Sequence, residues 1–120
     1  MPVFDLENRL VNYASAVIDI VEQLPPKFVC THLGKQLIRS STGAALNYGE
    51  AQAAESSADF IHKLKISLKE LKESQISLKI LSKRIYIEEK KILPIIQETS
   101  ELVAIFTTSI KTARRKSQKP

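Results

Sequence analysis

With Cys30 as its one cysteine, the 120-residue chain can form no intramolecular disulfide, and nothing marks it as a stapled scaffold. Three glycines and no tryptophan argue against a β-sandwich or barrel, whose many turns need glycine, and against a Gly-rich phosphate loop. No apolar run approaches the ~20 residues of a membrane span, and no charged leader precedes one, so a soluble chain of the cytoplasm with no membrane partner is expected. Internal repeats, linkers and a Ser/His/Asp pattern that helical spacing could assemble are also missing, which leaves nucleophilic catalysis without support.

What is present is helical. A composition of 43% hydrophobic and 26% charged residues is that of a globular chain, and 120 residues can bury a core without a metal or disulfide. The strongest period runs from Asp59 to Leu81. At about 100° per residue, Ile61, Leu64, Leu68, Leu71, Gln75, Leu78 and Ile85 fall on one stripe, read as the core face. Ile66, Ile76 and Ile80 lie away from it, beside a line of Lys65, Lys72, Lys79 and Lys83 with Lys69 close by.

Three further periods complete the pattern. Asp5 is a candidate N-cap for a helix whose face is Leu6, Leu10, Tyr13, Val17, Ile20, Val21 and Leu24, with Val11 and Ile18 on its flank. Pro25-Pro26 ends it. Thr31 is the expected cap of a second helix that turns small at Ser40 to Ala45, where Gly43 implies a close neighbour. Ser56 with Asp59 resembles a capping box for the third. Glu88-Glu89 opens a fourth, with Pro94 expected to kink it or to set its true start near Leu93. The chain is therefore expected to be all-α, an antiparallel up-down-up-down four-helix bundle occupying residues 1–113, followed by a disordered basic tail over 114–120.

Charge is uneven. Residues 1–60 hold four Lys/Arg against seven Asp/Glu, a net −3; residues 61–120 hold fourteen against six, a net +8. A basic half of this kind can attract RNA or DNA, or simply keep the protein soluble.

The run from Gln36 through Arg39, Ser40, Thr42, Asn47, Tyr48 and Glu50 to Ala51, followed by Ala54-Glu-Ser-Ser-Ala-Asp-Phe-Ile-His-Lys-Leu64, resembles the 23S rRNA intervening-sequence family of four-helix-bundle proteins. The chain departs from that pattern at Gly43, Leu46 and Gly49, the last in place of a usual arginine. The resemblance implies a bundle without a settled activity and a ring-shaped homopentamer. It also implies kinship in fold with the accessory proteins of diversity-generating retroelements, which bind nucleic acid and a reverse transcriptase.

Candidate sites follow from both readings. Asp59 and His62 have the i, i+3 spacing of a bundle metal site, but a di-iron centre needs that pair twice with two more carboxylates, so no metal and no cofactor is expected. Cys30 and His32 form no tight cluster either. Arg39, Asn47, Glu50, Glu55 and Asp59 are read as an inter-helix or inter-subunit polar network in preference to a ligand site. Val11, Ile18, Ile66, Ile76 and Ile80 are surplus apolar surface and the expected oligomer interface. Lys65, Lys69, Lys72, Lys79 and Lys83, with Arg114, Arg115 and Lys116, are candidate phosphate contacts, or else a solvated face. The expected function is a non-enzymatic homo-oligomer that binds RNA or DNA as an accessory factor; the alternative is a structural or protein-interaction module.

Overall fold

Asp5 caps the first helix as its spacing predicts, its carboxylate accepting the Asn8 amide at 3.0 Å, and Ser56 does the same for the Asp59 amide at 3.0 Å. The structure, a computed structural model, describes residues 5–118. Four helices make it up: α1 (Leu6–Glu22), α2 (Phe28–Gln52), α3 (Ser57–Ser82) and α4 (Glu89–Ser117). No strand occurs among the described residues.

The pairs that tie the helices fix their directions. Between α1 and α4, Arg9 meets Glu98 at 2.7 Å, Tyr13 meets Thr99 at 2.8 Å and Gln23 meets Lys91 at 2.9 Å, so one runs against the other. Between α2 and α3, Ser40 meets Ser74, Ala44 meets Ser67 and Glu50 meets Lys63, again antiparallel. Gly34 lies against Val21, while Tyr48 near the far end of α2 feels the charges of Glu7 and Asp5, which sets α2 against α1. An up, down, up, down order follows. The resulting rod measures 54 × 29 × 20 Å.

The core runs along the rod axis: Leu10 and Val17 from α1, Leu37 from α2, Leu64, Leu71 and Leu78 from α3, Leu102 and Phe106 from α4, all essentially without solvent contact. The α2–α3 contact is the most extensive. Its residues are small. Ser40 and Ala44 face Ser74 and Ser67, and the Ser40–Ser74 and Ser67–Ala44 hydrogen bonds, at 2.6 and 2.9 Å, satisfy these buried hydroxyls, while that of the buried Ser41 points to the Ile38 carbonyl of its own helix. Gly43 answers its expected close neighbour: a Cβ there would collide with the Glu70 carboxylate, which lies across the bare backbone.

Several boundaries and faces differ from the sequence reading. The second helix starts at Phe28 with Lys27 as its cap, because Pro25 and Pro26 already fix the turn and the chain leaves them extended at Lys27. Thr31 is one turn inside, its amide bonded to the Lys27 carbonyl. On α3 the buried line is Leu64, Ser67, Leu71, Ser74, Leu78 and Leu81, with Ile61, Leu68 and Gln75 at its edge. Ile85 lies beyond the helix end and is 98% exposed. Helix α4 starts at Glu89 and passes through Pro94, whose missing amide leaves one hydrogen bond unmade near the helix start. It also continues to Ser117 where a disordered tail was expected from residue 114. Ala113, Arg114, Arg115 and Lys116 are good helix formers, and cations suit the negative end of the helix dipole. Lys119 and Pro120 lie outside the described residues.

Candidate nucleic-acid interface

The outward side of α3 carries the lysine line because the helix turns its leucines and serines inward and leaves the opposite arc to water. Lys65, Lys69, Lys72, Lys79 and Lys83 are all exposed. From Lys65 to Lys83 they span roughly 27 Å along the axis, within an arc of about 80°. Among the described residues none of the five pairs with a carboxylate. Glu73, the nearest acid on that side of α3, is occupied by Arg39 at 2.6 Å. The ammonium groups are thus uncompensated, which is what a polyanion site needs and what a charge-balanced solvated face would lack.

Apolar side chains stand within the same arc. Ile76 is 61% exposed between Lys72 and Lys79, and Ile80 is 47% exposed at the edge. A shallow groove of about 430 Å³ is lined by Lys65, Leu68, Lys69, Lys72, Glu73 and Ile76. Ile76 thus stands inside the lysine line, where the sequence reading set apolar strip and lysines side by side, while Ile66 and Ile80 stay to one edge. Arg114, Arg115 and Lys116 are exposed on α4. The Gln75–Ser100 hydrogen bond at 3.0 Å, with α3 and α4 antiparallel, brings Arg114 level with the first turns of α3, at the Lys65 end of the line, while Arg115 and Lys116 turn successively further round α4.

The polar residues of the motif do not form one network. Arg39 bridges to α3, reaching Glu70 at 3.2 Å and Glu73 at 2.6 Å, and the hydrogen bond to Glu73 followed by the charge of Glu70 raises its pKa. Glu50 holds Lys63 at 2.7 Å, and that bond raises the lysine's pKa. Asn47 donates to the Gly43 carbonyl of its own helix at 2.9 Å. Asp59 offers its backbone amide to the Ser56 cap, and Glu55 lies exposed in the preceding turn. Only Arg39 and Glu50 lock α2 to α3, and they do so in separate places. No group of three His, Cys, Asp or Glu side chains that could hold a metal occurs among the described residues. No helix there is long and apolar enough to cross a membrane.

Val11 is 50% exposed and Ile18 half-buried on the outer side of α1, with Glu7 and Glu22 along the same strip. A second groove, of about 500 Å³, opens between α1 and α4 beside Asn12, Tyr13 and Pro94. There Arg9 grips Glu98 and Glu101 at 2.7 and 2.9 Å, and the Glu98 bond raises its pKa. Sequence reasoning missed Glu70 and Phe28. Glu70 had a signal in the glycine opposite it; Phe28, next to a proline pair, had none.

The family described as 23S rRNA-intervening sequence protein matches residues 5–108, nearly the whole of the described bundle. The chain belongs to that family. Among solved structures it is similar to a protein of unknown function from the S23 ribosomal protein family of Bacteroides thetaiotaomicron VPI-5482, at 30% identity and a TM-score of 0.80. The likeness covers 88% of this chain and 97% of that one. No curated protein matches. The motif of this 23S rRNA-intervening sequence family member therefore sits on the α2–α3 seam, and its basic face lies on the outer side of α3.

Proposed function

We propose that the protein is a non-enzymatic bundle, assembled from several copies, that binds RNA or DNA through the basic face of α3 and the cationic end of α4. The observation that carries this reading is the set of five exposed lysines, free of ion pairs among the described residues, on one line of about 27 Å. A line of ammonium groups meets phosphates without reading sequence, and its affinity comes from released counterions. Repetition of that line around an assembly multiplies weak contacts into avidity.

Fluorescence anisotropy with a mixed-sequence oligonucleotide, from low to physiological salt, measures it. Affinity is expected to fall steeply with salt. Reversal of Lys65, Lys72 and Lys79 to Glu is expected to abolish binding while leaving the helical signal and particle mass as they are. A parent that binds nothing even at low salt would leave the lysines as a solvated face and favour the protein-interaction reading, for which the exposed Ile76 in that arc and Ile80 at its edge are the supporting observation.

A further inference from the structure

One end of the rod carries two large apolar side chains almost wholly in water. Phe28 is 88% exposed at the start of α2, and Ile85 is 98% exposed in the connection between α3 and α4. The α2–α3 register set by Ser40 with Ser74, Ala44 with Ser67 and Glu50 with Lys63 carries Phe28 to the level of Arg84 and Ile85. Lys27, Lys83 and Arg84 stand beside them in sequence, all exposed and unpaired among the described residues. Neither apolar side chain contributes to the core, and neither loop needs one to turn.

Resting on the basic-face reading above, we infer that the ligand is single-stranded, with Phe28 and Ile85 forming the platform on which an unpaired base stacks. The lysine line ends at Lys83 and Arg84, so a strand whose phosphates follow it arrives at Phe28 with a base to place. Unpaired bases offer π-faces to an aromatic ring; a duplex hides them in its stack and offers only phosphate and sugar to a convex surface. The α2 N-terminus adds to this, since Lys27 provides no side-chain cap and the first amides of the helix remain available to a phosphate. The stretch from Lys65 to Lys83 holds no aromatic residue, and Phe28 supplies one from another helix. Ile76, in the middle of the cationic arc, extends the apolar floor for bases along α3.

The chain has no tryptophan, so Phe28→Trp places a lone indole reporter at the platform. Titration with a mixed-sequence single strand is expected to quench its emission, while a duplex of equal length quenches little and binds less tightly. Phe28→Ser is expected to weaken single-strand binding by about fivefold or more without changing the salt slope, because no phosphate contact is lost. Both variants alter an exposed residue, and circular dichroism verifies that they fold. Equal binding of duplex and single strand by the parent, with Phe28→Ser indistinguishable from it, would overturn the single-strand inference and leave the basic-face reading standing. Absence of all nucleic-acid binding at low salt would remove both. An indole that shifts to the blue on vesicles of anionic phospholipid, and is not quenched by the single strand, would overturn the inference in favour of a lipid surface.

Discussion

Glycine has opposite meanings at two positions of α2. Gly49 faces open space, with no atom near where a Cβ would stand, whereas Gly43 lies under the Glu70 carboxylate. In a helix interior, alanine is favoured over glycine by roughly 1 kcal/mol. Gly49→Ala is therefore expected to raise stability by about that amount. Gly43→Ala has the same propensity gain but must push aside a carboxylate that is nearly buried and bonded to Arg39, so it is expected to gain nothing or to lose. Thermal melts of the two variants side by side test this; equal gains would mean that Glu70 swings away freely. The sequence reading that a neighbour approaches Gly43 was sound because the glycine sits in a run of small side chains, Ser40 to Ala45, that lets a helix come close; Gly49, outside that run, has no such neighbour. Which neighbour it is could not be read, because Glu70 lies 27 positions along on another helix and its position depends on the α2–α3 register.

Helix α3 separates what a sequence shows from what it hides. Its start was legible, since the Ser56 cap and the Asp59 amide are three residues apart and need no tertiary partner. Its inward face was only half legible. A leucine period marks Leu64, Leu71 and Leu78, but Ser67 and Ser74 share their side and look like solvent positions until Ala44 and Ser40 of α2 come close enough to bury them. Extending the period to Ile85 failed because the helix ends at Ser82. The α1–α4 pairing hides its polar content in the same way. Tyr13 is buried and its hydroxyl bonds Thr99 at 2.8 Å, with burial the main cause of a raised pKa. The sign is definite: a tyrosine whose folded pKa lies above its unfolded value of about 10 contributes full stability below that pH and loses it as pH rises through the folded value. The melting temperature is accordingly expected to fall above about pH 10. Tyr13→Phe should cost about 1 kcal/mol at neutral pH, because Thr99 keeps its bond to the Ile95 carbonyl, and should lose less than the parent on the alkaline side. Parallel pH–melting curves for parent and variant would show that Tyr13 does not ionise in that range.

At the scale of the whole molecule, two uses compete for one surface. The apolar residues read from the sequence as an oligomer interface include Ile76, yet Ile76 stands between Lys72 and Lys79, so a copy seated on it would cover the cations proposed to meet phosphate. Two copies joined through this arc in isologous fashion would also set lysine against lysine. Ile66 and Ile80 lie toward one edge of the arc, on the side of Glu73, at about 60° to 100° from Lys65 by helical geometry. Val11 and Ile18 lie on α1, in a strip whose charged members, Glu7 and Glu22, would repel nucleic acid. An assembly that leaves its basic face open would therefore use the α1 strip and the Ile80 edge, head to tail, and keep Ile76 for the ligand. Val11→Glu and Ile80→Glu are each expected to reduce the particle to the 13.5 kDa of one chain without loss of helicity, as read by light scattering coupled to size exclusion. Ile76→Glu is expected to leave the mass unchanged and to weaken oligonucleotide binding, since a carboxylate would stand among the lysines. If Ile76→Glu instead dissolved the particle, the arc would be an interface between copies and phosphate contact would have to fall to Arg114, Arg115 and Lys116. A parent already at 13.5 kDa at micromolar concentration would refute assembly altogether.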